Sequence, residues 1–414
     1  MVVAIAQEFT PFLVSAPGKL ILFGEHAVVY GKTAIAGSVD MRAYALVTPR
    51  SDNTTRLVLP DINVDVQFNK LPRLNPSDLS HPCEVENHIG SINVPEGPGR
   101  MAVLTFVYLF GCLLAPRPLG FTVCVRSLLP VGAGLGSSAS FNVALATALL
   151  QLSGQLRDDG QSTRDRRLIN QWAFAGEQVA HGTPSGIDNS VATYGGFLAY
   201  TKGQSPQNLN SSSALRVLIT NTNVPKSTKA LVAGVRLLRD KHPQVIDGVL
   251  DTIHNVSISA ISLFESQGED VEDKLQDIIR LNHGMLSTLG VSHLSLERIR
   301  EITAMHNMAS KLTGAGGGGC ALTLVPSTAS DETVENVKLM LAEEGFKCYQ
   351  TTVGGAGVVV THGVGSQSIV EWIRSMLDRK LSLAPSAANE GTGYDGVVSA
   401  FSILPDAAIA KLAP

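Results

Sequence analysis

Paired cysteine is missing from this chain. Its five cysteines, Cys83, Cys112, Cys124, Cys320 and Cys348, are an odd number with no C-x-x-C spacing. That excludes a disulfide framework and the common zinc patterns, and it fits a reducing compartment. A dominant charge is missing too. There are 32 Lys and Arg against 36 Asp and Glu, a formal net charge of −4. Bulk attraction to nucleic acid or to an anionic membrane is not indicated, although a local basic pocket is compatible with this balance. No apolar run reaches about 18 residues, so no membrane span is predicted. Residues 1–12 hold no Lys or Arg, and Gln7 and Glu8 break their apolar run, so no signal peptide is predicted. The ending Lys411-Leu412-Ala413-Pro414 spells no retention or peroxisomal address. The expectation is a cytosolic protein.

What is present is globular. The chain has 414 residues, 44% hydrophobic and 16% charged, enough for about two domains with real cores. Short strands are predicted at 13–15 and 20–23, around a sharp Ala16-Pro17-Gly18, and a longer one at 41–48 with 57–59 as a candidate partner. Residues 60–95 read mostly as loop. Buried-helix patterns follow at 101–114 and 137–152, with a strand at 121–125 between them. In 165–180, Leu168, Trp172, Ala175 and Val179 fall at helical spacing. Strands are predicted at 197–200 and 217–220. After Pro225 four helical stripes follow one another, and strands return at 321–325 and 357–362. The expected fold class is α+β. The expected organisation is an N-terminal mixed domain over 1–225, a C-terminal domain over 226–380 and a tail over 381–414.

Four stretches carry chemistry. The first is Pro130-Val131-Gly132-Ala133-Gly134-Leu135-Gly136-Ser137-Ser138-Ala139, lying between a strand and a helix. Glycines let backbone close on a ligand, successive N–H groups make an anion cradle, and the helix points its positive end at the same place. The loop has neither the Walker A lysine nor the G-x-G-x-x-G interval. A plain serine-capped turn is the competing reading. The second stretch, Ser15 to Gly31, sets Lys19, Glu25 and His26 in apolar sequence. The third holds Glu177 late in a helix and then His181-Gly182-Thr183-Pro184-Ser185-Gly186-Ile187-Asp188-Asn189. Two carboxylates at a phosphate site divide naturally into a metal ligand and a general base, and Mg²⁺ binds through one or two carboxylates plus phosphate oxygens. Asp188 as a simple helix cap is the alternative. The fourth, Lys311 to Cys320, puts four consecutive glycines before a strand, which is costly in entropy unless backbone must approach backbone or phosphate. His283, His293 and His306 fall in helical stretches and read as surface or satisfied core histidines.

Together these motifs resemble those of the GHMP kinases, in the family's order and over residues 13–365. The resemblance implies a two-domain GHMP kinase fold with a left-handed β-α-β crossover and an active site in the cleft between domains. Within the family, Gly24-Glu25-His26-Ala27-Val28-Val29, Thr220-Asn221-Thr222 and Lys311-Leu312-Thr313-Gly314 are similar to the members that phosphorylate mevalonate. That implies transfer from ATP to the C5 hydroxyl of (R)-mevalonate, for isoprenoid and sterol synthesis. It implies Mg²⁺ on Ser138 and Glu177, Asp188 as base, and Lys19 stabilising both Asp188 and the transferring phosphoryl group. ATP would lie on Ser127, Gly132, Ala133, Gly134, Leu135, Gly136, Ser137 and Ser138. Substrate would meet Lys19, Glu25, His26, Asp188 and Thr228. A homodimer, and inhibition by farnesyl-type diphosphates at the ATP site, are implied as well. Asp61 stands where relatives carry Asn. A phosphomevalonate kinase or galactokinase type, or a catalytically silent nucleotide-binding regulator, are the alternatives, and the presence of Lys19, Glu177 and Asp188 weighs against the silent one.

Overall fold

A computed structural model describes residues 9–75, 99–115, 120–130, 134–211, 214–266 and 270–363. Gly132, Ala133, Cys83 and the expected tail lie outside the described residues. Among the described residues, twelve strands form one sheet. They are β1 (Phe12–Phe23), β2 (Thr33–Pro49), β3 (Thr55–Leu59), β4 (Val64–Phe68), β5 (Phe121–Ser127), β6 (Phe197–Thr201), β7 (Gln207–Leu209), β8 (Leu215–Asn221), β9 (Ala309–Leu312), β10 (Cys320–Leu324), β11 (Lys347–Val353) and β12 (Val359–His362). The order β4-β3-β5-β2-β11-β8-β10-β9 runs through the sheet, with β1 on β2 and β12, and β6 on β2 and β7. The sheet is therefore shared between the segments on either side of residue 225.

The helices are α1 (Arg100–Leu113), α2 (Ser137–Leu152), α3 (Thr163–His181), α4 (Ile187–Tyr194), α5 (Thr228–Lys241), α6 (Pro243–Glu265), α7 (Val271–Thr288), α8 (Leu294–Ala304) and α9 (Asp331–Glu343). Rich in Ala and Leu, α2 buries residues around most of its circumference, so it is a core helix with little amphipathic bias. It packs with α1, α3 and β1–β5 in one apolar cluster. The helices after residue 225 build a second cluster around Leu250, Ile253, Ile299 and Val337. Between them, Leu20, Leu22 and Phe23 of β1 meet Val217 of β8, Phe264 of α6 and Ile279 of α7.

Several expectations change here. Ala16-Pro17-Gly18 is not a turn: β1 runs through it with a register shift between Pro17 and Gly18, because the strand can absorb a missing N–H as a bulge. The 57–59 strand does not pair with β2. It lies parallel to β5 and antiparallel to β4, so β5 separates it from β2. Residues 64–68, read as loop, form β4. His293 caps α8 and His306 follows it, so neither is within a helix.

One long-range contact ties the beginning of the chain to its end. The Lys311 ammonium forms an ion pair with Glu25 Oε1, and both side chains are fully buried. Asn282 Nδ2 donates to Glu25 Oε2 at 3.1 Å, and Lys311 Nζ also donates to the Leu312 carbonyl at 2.8 Å. Burial pushes the Lys311 pKa down, and Glu25 opposes that shift. Removing one partner of such a pair leaves a buried charge and costs about 3–5 kcal/mol, whereas replacing both costs far less. Lys311→Met is expected to lose stability of that order in urea unfolding, and Glu25→Gln combined with Lys311→Met to recover most of it. Additive losses in the double variant would show that the two groups are not coupled.

Candidate active site

Two helices begin at the same place without a side-chain cap. α2 starts after Gly136, whose φ is 74°, and α4 starts after Gly186, whose φ is 78°. Of the other helices, α3, α5 and α9 are capped by Ser162, Ser227 and Ser330, while α1, α6 and α7 also start without a side-chain cap. What sets α2 and α4 apart is that both follow a glycine in the left-handed region. An uncapped N-terminus leaves backbone N–H groups for an anion. Asp188 sits in the first turn of α4, so it is not the helix cap.

Lys19 joins the two helices. Its backbone N–H donates to Leu135 O at 2.8 Å. Its ammonium lies 3.3 Å from Asp188 Oδ2 and 3.3 Å from Gly134 O. A side chain at Gly18 would meet Leu135 O at 2.9 Å and Leu129 at 2.4 Å, so glycine is what lets the loop close on β1. Beside this pair, Ser138 Oγ donates to Glu177 Oε1, and Asn142 Nδ2 donates to the same oxygen. His181 Nε2 is 2.8 Å from Ser138 Oγ. Asn142 Oδ1 is buried and has no hydrogen-bond partner among the described residues.

A cavity of about 570 Å³ opens here. Leu59, Ile62, Met101, Val125 and Phe141 give it an apolar wall, and Ser137, Ser138, Glu177, His181 and Asp188 a polar one. Such a division suits an apolar base with a charged tail. Ser127 lines it, with its N–H on Asp61 Oδ2 at 2.8 Å. Arg126 pairs with Asp61 Oδ1 at 3.0 Å. The Asp61 carboxylate thus closes the rim through Arg126 and the Ser127 backbone.

The structure brings Lys19, Ser127, Gly134, Leu135, Gly136, Ser137, Ser138, Glu177 and Asp188 to one place. Glu25 and His26 are buried but do not line this cavity: Glu25 is on Lys311, and His26 Nε2 is 2.9 Å from Ala315 O. Thr228 is exposed at the start of α5. Lys226, Asn142, Arg126 and His181 were not among the site residues read from the sequence. Lys226 was detectable only as a cation just beyond Thr222-Asn223-Val224-Pro225. A side chain at Gly319 would fall 2.4 Å from its Nζ, and one at Gly134 would fall 3.7 Å from it. The ammonium therefore lies between the two glycine loops, and burial pushes its pKa down.

Residues 102–196 match the family description "GHMP kinases N terminal domain", and residues 269–347 match "GHMP kinases C terminal". The glycine loop, the lysine-carboxylate pair and the helices that hold them are those of a small-molecule kinase of the GHMP class. Mouse mevalonate kinase is 40% identical over 84% of this chain and 94% of its own, and the Candida albicans enzyme of that name is 38% identical over 84% and 89%. The crystal structure of L. major mevalonate kinase in complex with R-mevalonate superposes with a TM-score of 0.64 at 22% identity, covering 86% of this chain and 98% of that one. The chain belongs to the mevalonate kinase family.

Behind the C-terminal glycine loop, His283 Nδ1 accepts from Leu312 N at 3.2 Å, and Nε2 lies 3.0 Å from Glu297 Oε1. Burial lowers the His283 pKa below its ordinary 6.5, against the pull of Glu297. Burial works to raise Glu297, but donors on Ser292, Arg300 and His283 bring it down to about 2. Both folded values are depressed. The stability from His283 is therefore complete above pH 6.5 and is lost as pH falls through its folded value, and that from Glu297 is lost between 4.5 and about 2. In urea titrations at stepped pH, His283→Asn should flatten the loss just below pH 6.5 and keep the loss below 4.5. An equally steep fall in the variant would remove His283 as its source.

Proposed function

We propose that this chain transfers the γ-phosphoryl group of ATP to the C5 hydroxyl of (R)-mevalonate. The observation that carries this reading is the meeting of Lys19 and Asp188 at 3.3 Å, at the mouth of the uncapped glycine loop. Asp188 accepts the proton from the attacking hydroxyl, and Lys19 balances charge on the transferring group. Transfer through a loose transition state needs mostly positioning and charge neutralisation. The backbone N–H groups of the loop and of α2, with Ser137, hold the phosphates, and the apolar wall takes the adenine.

Mg²⁺ belongs to the same reading. Glu177 and Ser138 offer hard oxygen donors on one side of the loop, and the buried Asn142 Oδ1 leaves a further acceptor behind them, a set that suits a hard divalent cation. When bound with ATP it would neutralise phosphate charge. Lys226 is the group suited to the acceptor's carboxylate. It is a half-buried cation that forms no hydrogen bond or ion pair among the described residues, two residues before α5. Thr228 opens that helix, and His26 backs the same region. Glu25 acts from behind, through Lys311. The division into domains at 225/226 is part of this proposal, with the site between them, as are a homodimer and a cytosolic location. Farnesyl diphosphate would compete with ATP, its chain on the apolar wall and its phosphates on the loop. Competition kinetics test that point and sedimentation tests the dimer.

Coupled ADP release with mevalonate, phosphomevalonate, galactose and homoserine is the deciding assay, and turnover on galactose or homoserine in place of mevalonate would sink the proposal. Asp188→Asn should keep ATP binding and lose about 10²- to 10⁴-fold in kcat; near-normal turnover would remove it as the base. Lys226→Met should raise the mevalonate KM by about tenfold or more, the worth of one charge-assisted hydrogen bond, with little change in the KM for ATP. A KM unmoved for mevalonate would place the carboxylate elsewhere.

A further inference from the structure

His181 has no part in the reaction described so far, yet its bonding is constrained. A serine hydroxyl has one proton and two lone pairs, and an ionised carboxylate can only accept. The Ser138 proton therefore goes to Glu177 Oε1. With that proton committed, the 2.8 Å contact from His181 Nε2 to Ser138 Oγ requires Nε2 to be the donor. His181 is then in the tautomer with Nε2 protonated. Glu177 Oε1 is also occupied by Asn142 Nδ2. One lone pair remains on Ser138 Oγ, and Glu177 Oε2 accepts no hydrogen bond among the described residues.

The supply of this donor follows from helix geometry. Glu177 and His181 are four residues apart on α3 and so share a face. Ser138 is in the first turn of α2, and α2 packs along α3 within one apolar cluster. A hydroxyl in a helix's first turn can rotate among three wells. Two fixed partners, one accepting and one donating, leave it one orientation.

We infer that His181 is a positioning residue: its Nε2–H fixes the Ser138 hydroxyl so that the remaining Oγ lone pair and Glu177 Oε2 together face the divalent cation carried by the nucleotide. This rests on the reading that Ser138 and Glu177 hold that cation. Outer hydrogen bonds of this kind commonly set metal affinity by about 10- to 100-fold.

The test compares affinity for Mn²⁺-ATP with affinity for metal-free ATP by titration calorimetry on the full chain, with Ser138→Ala and Glu177→Gln as references. In His181→Ala the ratio of the two affinities should fall by about tenfold, with metal-free ATP binding unchanged. In His181→Gln, whose amide nitrogen stands where Nε2 stood, the ratio should be largely restored. Thermal unfolding of each variant separates this from a loss of fold, which would weaken both forms of ATP alike. An unchanged ratio in His181→Ala, with both references lowered, overturns the role of His181 and spares the cation reading. An equal fall in the Ala and Gln variants overturns it too, since the donor would then not be what matters. Unchanged ratios in both references would remove the cation reading and this inference with it.

Discussion

The site depends on one close approach of backbone to backbone. The Lys19 N–H reaches the Leu135 carbonyl at 2.8 Å because position 18 has no side chain. That bond sews the glycine loop to β1, which is itself paired along its length with β2. A loop with this many glycines would otherwise sample many conformations. Pinned at Leu135, it delivers α2 with its N-terminus open, and it sets the Lys19 side chain between the Gly134 carbonyl and Asp188. The ion pair is thus a consequence of the backbone contact. Its two side chains are partly exposed, and on their own they would contribute little.

A second loop answers the first from the other end of the chain. Gly316, Gly317, Gly318 and Gly319 all take positive φ, a region that costs other residues. The run is held at three points: Gly317 N on Val291 O, Gly319 N on Val224 O, and the Thr222 N–H on Gly319 O. What the conformation provides is room, since Lys226 occupies the space a side chain at Gly319 would fill. His26 and Glu25 anchor the same region from the turn just after β1, through Ala315 O and Lys311. The first half of the chain therefore fixes the second half's loop as well as its own.

The glycine loops, Lys19, Glu177 and Asp188 were legible because their chemistry is local. Glycine clusters beside hydroxyls, and charges set in apolar sequence, are costly unless they are used. The helices with strong stripes were legible for the same reason, α6 through Ile246, Leu250 and Ile253 among them. The partners of long-range contacts were not. Lys311 meets Glu25 across 286 positions, and nothing in either neighbourhood names the other. Asn142 lies inside an apolar helix pattern, where its pairing with Glu177 is invisible. His181 was quoted as part of a motif without a role, because its function depends on which atom of Ser138 is already taken. The pairing of β3 with β5 rather than β2 depends on a crossover through α1, which alternation along a strand does not encode.

In the proposed reading the phosphate and acceptor ends of the site are built from different materials, and this bears on specificity. The phosphate end is backbone: loop N–H groups, a helix N-terminus and a carbonyl that holds Lys19. Substitution there is tolerated only where geometry survives, so it would recognise phosphate in any nucleotide that fits the apolar wall. In the proposed reading the acceptor end is made of side chains drawn from distant segments, with Lys226 just before α5, Thr228 at its start and His26 just after β1. Each can change without disturbing the sheet. Discrimination among acceptors would then be concentrated where charge can be gained or lost by one replacement. In the proposed reaction Lys226 supplies that charge, and because it is half-buried and not paired among the described residues, an acceptor without an anionic group would leave it uncompensated in the closed site.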